Sequence, residues 1–138
     1  MQQDVSLLEF LTSLRKVHER MLEAAISTSS TKGTCMHATV LVATAVERWL
    51  PGYTARIRGG DGVADGGIFD SSGRGFGHYW VEVANGDIRW VADITADQFG
   101  FRPIQLSSAR DVASTYVPGD QALVDQHVAE FKASLENR

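Results

Sequence analysis

His78-Tyr79-Trp80-Val81-Glu82-Val83-Ala84, then Asn85-Gly86, then Asp87-Ile88-Arg89-Trp90-Val91-Ala92-Asp93, is the stretch that decides how this chain folds. Two runs rich in aromatic and β-branched residues flank an Asn-Gly pair, the strongest short-range signature of a β-hairpin. With Asn85-Gly86 as a two-residue turn, Ala84 faces Asp87, Glu82 faces Arg89, Trp80 faces Val91 and His78 faces Asp93. Alternation then puts His78, Trp80, Glu82, Arg89, Val91 and Asp93 on one face, and Tyr79, Val81, Val83, Ile88, Trp90 and Ala92 on the other. An ion pair and a histidine beside a carboxylate both follow from that register.

Working outward, Tyr53-Thr54-Ala55-Arg56-Ile57-Arg58 alternates like a further strand. Between it and the hairpin, Gly59 to Gly77 holds eight glycines and is expected to be a long loop, with Asp61, Asp65, Asp70 and Arg74 helping to cover a site. Upstream, a helix from Cys35 to Pro51-Gly52 is apolar nearly all round, through Met36, Ala38, Val40, Leu41, Val42, Ala45, Val46, Trp49 and Leu50, as befits a helix buried on most sides. Thr34 is placed to cap it. From Asp4 to Ser27, Val5, Leu8, Leu11, Leu14, Val17, Met21, Leu22, Ala25 and Ile26 make one helical stripe, and the polar run from Ser27 to Gly33 ends it. Gln105 to Tyr116 shows no clear period. Asp120 to Leu135 reads as a closing helix with Leu123, Val124, His127, Val128, Phe131 and Leu135 on one side.

Composition narrows the classes of function. At 138 residues the chain is expected to form one domain, 1–138, and 43% hydrophobic residues with 3 Pro suffice for a packed core. Thirteen Lys and Arg against 17 Asp and Glu leave a net charge of −4, and the basic residues are scattered, so no nucleic-acid partner is expected. No apolar run approaches the roughly 20 residues of a membrane helix, so no membrane partner is expected either. Met1-Gln2-Gln3-Asp4 lacks the basic flank and apolar run of a signal peptide, which makes the cytoplasm the expected location. His18 and His127 lie in helical patterns without ligands at metal spacing, and neither a metal nor a cofactor is expected.

The single cysteine, Cys35, cannot form an internal disulfide or a multi-thiolate zinc site. At the first turn of a helix it meets unpaired backbone amides and the positive end of the macrodipole, which favour the attacking thiolate. His78 and Asp93 supply the other half of such a machine, a base and the carboxylate that orients it. The Cys35 amide is one candidate donor for the oxyanion of a tetrahedral intermediate; the residues just before Cys35 offer no upstream Gln for a second, and Gln98 is only a weak alternative. His37, two residues past Cys35, points to another side of the helix and reads as a packed histidine.

Gly33-Thr34-Cys35 with Ala38, then Leu50-Pro51-Gly52-Tyr53-Thr54-Ala55-Arg56 and Gly59, resembles the G-x-C helix, glycine turn and A-R strand of bacterial transglutaminase-like proteins. His78-Tyr79-Trp80-Val81-Glu82-Val83 looks like that family's H-x-W-x-E strand, and Trp90-Val91 with Asp93-Ile94-Thr95 like its W-x-x-D-x-T strand. The resemblance covers residues 33–99. It implies a papain-like α+β core, in which the Cys35 helix packs on an antiparallel sheet containing strands 53–58, 78–84 and 87–94, with flanking terminal helices. It also implies a Cys35-His78-Asp93 triad acting on amide or peptide bonds of a protein or peptide substrate through a thioester. The chain lacks the accessory domains and calcium-loop pattern of animal transglutaminases, and the arginine-rich lead-in to the cysteine of arylamine N-acetyltransferases. The expected function is therefore a protease or glutamine deamidase. The alternatives are acyl transfer to an amine acceptor and a non-catalytic binding module of the same fold.

Overall fold

The computed structural model describes residues 5–26, 35–62 and 66–136. In chain order these form α1 (Val5–Ile26), α2 (Cys35–Trp49), β1 (Thr54–Gly60), β2 (Gly67–Phe69), β3 (Gly75–Phe76), β4 (His78–Asn85), β5 (Ile88–Asp93), β6 (Gln105–Ser108), β7 (Tyr116–Val117) and α3 (Gln121–Glu136). A short 3₁₀ turn, Ala96–Phe99, follows β5. The architecture is α+β, with three helices packed on an antiparallel sheet of order β1-β4-β5-β6. A smaller sheet of order β3-β2-β7 covers part of the opposite face.

Alternation along β4 and β5 feeds two cores. Val81, Val83, Trp90 and Ala92 face α2, meeting Ala38, Val42, Ala45 and Val46, with Leu7, Leu11 and Leu14 of α1 and Val124 of α3 in the same cluster. Trp80 and Val91 face the other way, onto Ile68 and Tyr116 of the small sheet. No described helix is long and apolar enough to cross a membrane.

The hairpin forms, but with a register two residues from the one expected: Ala84 lies opposite Arg89 and Glu82 opposite Val91, with Asn85 opposite Ile88. Ala84 therefore does not face Asp87, nor Trp80 Val91, nor His78 Asp93. The turn residues are Gly86 and Asp87, and Gly86 takes φ 61 at the first central position. A glycine there is what a type II′ turn demands. A slip of two keeps every side chain on its face, so the hydrophobic pattern suits both registers equally. Glu82 and Arg89, now diagonal neighbours, still meet at 3.2 Å.

Three other expectations change. The glycine-rich segment is not a structureless loop: β1 runs on to Gly60, and Gly67–Phe69 and Gly75–Phe76 pair as a hairpin. Along α1 the buried stripe is Leu7, Leu11, Leu14, His18 and Leu22, while Val5, Val17 and Met21 are exposed. Trp49 and Leu123 are likewise exposed, Trp49 lying under the Arg48 guanidinium. Thr34, Asp65 and the polar run Ser27–Gly33 lie outside the described residues.

Candidate active site

Cys35 opens α2, and the first amides of any helix have no partner within it. His78 opens β4, and Asp93 closes β5. In the observed register they sit diagonally on the face turned to the small sheet, where His78 Nε2 and Asp93 Oδ2 are 2.7 Å apart. Both side chains are almost wholly buried. The backbone around the histidine is drawn tight by Gly59, where an added Cβ would run into the His78 carbonyl oxygen.

Asp93 accepts from several directions. Oδ2 takes His78 Nε2 and the Tyr116 hydroxyl at 2.9 Å, and Oδ1 takes the Thr95 amide at 3.0 Å and the Thr95 hydroxyl at 3.2 Å. Burial works against the carboxylate, but the charge and hydrogen bond of His78, joined by Thr95 and Tyr116, hold its pKa below the ordinary value. Burial likewise works against the imidazolium. Asp93's charge and hydrogen bond overcome it, with help from Cys35, and the His78 pKa is raised to about 9.

An ionised carboxylate can only accept, so Nε2 of His78 carries a proton in either charge state, and Nδ1 has a lone pair only in the neutral ring, which the raised pKa disfavours below about pH 9. Nδ1 is buried and has no hydrogen-bond partner among the described residues. Cys35, at the head of α2, adds to Asp93 in favouring the protonated form of the same ring. Of the three residues singled out in the sequence, His78 and Asp93 are in contact and enclosed, and Cys35 is half-buried at the head of α2.

The enclosing wall is aromatic. Phe99 meets the His78 ring edge-on at 4.7 Å, and Trp80 and Tyr116 lie at 6.3 Å. Phe99 is held by the 3₁₀ turn after Asp93, and that turn is anchored from α1. Arg15 donates to the Ile94 carbonyl at 2.7 Å and grips Asp97 at 2.8 and 2.9 Å. Gln98 uses its amide within the turn, donating to the Thr95 carbonyl at 3.2 Å.

A second polar chain involves the next residue of β4. The Tyr79 hydroxyl donates to Asp61 Oδ1 at 2.9 Å and so accepts from His127 Nδ1 at 2.9 Å, joining the end of β1 to α3. Burial, then Asp61, then the charge of Cys35 raise the Tyr79 pKa above its ordinary value. His37 packs edge-on against Phe131 of α3 at 4.8 Å, as a packed histidine should.

The sequence gives no sign of Tyr116, Arg15 or the Tyr79-His127 bond, and marks Thr95 only as part of a motif. Thr95 at two residues past Asp93 carries a local signal, since Ser and Thr often bond a neighbouring acidic group or backbone. Tyr116 and Arg15 come from segments with no sequence link to Asp93. The sequence matches no family model, and no curated protein or solved structure proved similar to it.

Proposed function

We propose that this is a cysteine-dependent amide or peptide hydrolase, a protease or glutamine deamidase, working through a thioester on a papain-like, transglutaminase-like core in one domain. The observation that carries the reading is the setting of His78: Nε2 is locked by the buried Asp93, the buried Nδ1 has no hydrogen-bond partner among the described residues, and Cys35 is one of the groups that favour the imidazolium. An imidazole that takes up a thiol's proton needs that arrangement, with a carboxylate orienting one nitrogen and the other nitrogen unoccupied.

In this mechanism Nδ1 of the imidazolium holds the proton taken from Cys35, and the Sγ thiolate attacks the substrate carbonyl carbon. The resulting oxyanion is met by the Cys35 backbone N–H at the start of α2. His78 returns the proton to the leaving amine or ammonia, and the C–N bond breaks to leave the thioester. Water then attacks, His78 removes its proton, and the acid departs as Sγ recovers the proton from Nδ1. Asp93 stabilises the imidazolium in both halves without taking the proton. An amine arriving in place of water gives acyl transfer by the same steps.

The test is incubation with glutamine-containing peptides and a biotinylated primary amine, followed by mass spectrometry. Chain cleavage identifies a protease, glutamine-to-glutamate conversion a deamidase, and biotin incorporation an acyltransferase. Cys35→Ser should abolish the product while preserving the circular dichroism spectrum. Product formation undiminished in Cys35→Ser rules the mechanism out. No product, together with a Cys35 no more reactive than a free thiol, favours the non-catalytic binding module.

A further inference from the structure

The arginines that look scattered along the chain are gathered by the sheet. Arg56 lies directly opposite Glu82 across β1 and β4, and Arg58 and Arg89 are its diagonal neighbours. All four side chains leave the same face, the one turned away from α2. Glu82 reaches Arg89 at 3.2 Å and Arg58 at 3.6 Å. One carboxylate thus pairs with two guanidinium groups, with Arg56 facing it from the neighbouring strand as a third cation. The Nε of Arg58 is buried and donates to nothing, and the Arg89 side chain is 60% exposed. On a chain whose net charge is −4 this is a local excess of positive charge.

From this we infer that the face is a docking surface for an acidic polypeptide segment in extended conformation. Arg56 and Arg58 leave β1 two residues apart, roughly 7 Å along the strand, which is the spacing of alternate side chains in an extended peptide. Carboxylates at that spacing would meet the guanidinium forks two-pronged, the geometry that arginine favours. Recognition must run through side chains and not through an added strand, because the outer edge of β1 is occupied: Gln121 donates to the Ile57 carbonyl and the Gly119 amide to the Gly59 carbonyl. A nucleic acid fits less well. The patch spans only three cations, Trp80 is buried beneath the small sheet, and the rest of the molecule repels a long polyanion. The inference is independent of the chemistry at Cys35.

Fluorescence anisotropy of a labelled decaglutamate peptide with the intact protein at low salt provides the test, because overall charge opposes this binding and only a local cationic face can support it. Binding is expected, weakening as salt is added. Arg56→Gln combined with Arg89→Gln should weaken it about five-fold, from two exposed ion pairs. Lys16→Gln combined with Arg20→Gln, on exposed positions of α1, should leave it unchanged. Absence of binding overturns the inference, as does binding indifferent to Arg56 and Arg89 or equally sensitive to the α1 pair. A single-stranded oligonucleotide of equal charge bound as tightly as the peptide overturns it in favour of nucleic acid.

Discussion

Asp93 is buried with donors on both oxygens, and its behaviour sets what each neighbour is worth. Tyr116→Phe removes one hydrogen bond to a charged group and should cost about 2 kcal/mol in urea unfolding. Asp93→Asn breaks the buried pair itself, with an expected loss of about 3 kcal/mol. The same pair makes stability depend on pH. The folded pKa of His78, about 9, lies above its ordinary 6.5, so its contribution is complete below about pH 6.5 and is lost as pH rises through about 9. Asp93 is shifted the other way: its contribution is present above its ordinary 3.8 and is lost as pH falls below it. The urea midpoint should therefore decline between pH 6.5 and 9 in the native protein, and Asp93→Asn should remove most of that decline. A native midpoint constant over this window would show that His78 and Asp93 do not share a charge.

Two elements owe their placement to single cross-links. Arg15 ties α1 to the 3₁₀ turn that seats Phe99 against His78. Arg15→Leu leaves the Ile94 carbonyl and Asp97 without their donor, and should cost about 2 kcal/mol by urea unfolding, since Asp97 is partly exposed. Loss of that anchor should also speed amide exchange across residues 94–99; unchanged exchange there would mean the turn holds itself. The closing helix α3 has Val124 buried and is tied to β4 by the Tyr79-His127 bond and to β1 by Gln121. His127→Ala should raise exchange in α3 while leaving β4 and β5 protected, and uniform exchange in the two proteins would refute that role. Element by element, the sequence was legible where one pattern had one solution, as in α2 and β4. It was ambiguous where two solutions kept the same alternation, as in the hairpin register. In the glycine-rich segment, Gly67–Phe69 and Gly75–Phe76 are too short to show periodicity, and pairing with β7 completes their sheet. Along α1, Leu7, Leu11, Leu14, His18 and Leu22 form the buried stripe because a buried histidine fills a place that hydrophobicity alone assigns to Val17 or Met21.

At the scale of the whole molecule, the helical core and the small sheet lie on opposite faces of β4 and β5, and His78 and Asp93 stand at the ends of those strands on the small-sheet side. Cys35, His78 and Asp93 could be picked out in the chain because each sits at the end of an element with a recognisable pattern. Their supports could not. Arg15, Tyr116 and His127 reach the site from elements far away in sequence, and only the packing of α1, the small sheet and α3 brings them there. The gathering of Arg56, Arg58 and Glu82 on one face equally requires pairing of β1 with β4. The most direct test of the central claim, that Cys35 and His78 act as an activated pair, is the rate of Cys35 alkylation by a small neutral haloacetamide across pH 6 to 9, in the native protein and in His78→Ala, with folding checked by circular dichroism. At pH 6 the native protein should react about ten-fold faster than folded His78→Ala. Equal rates in the two folded proteins across the range would contradict the pairing and leave Cys35 a structural thiol.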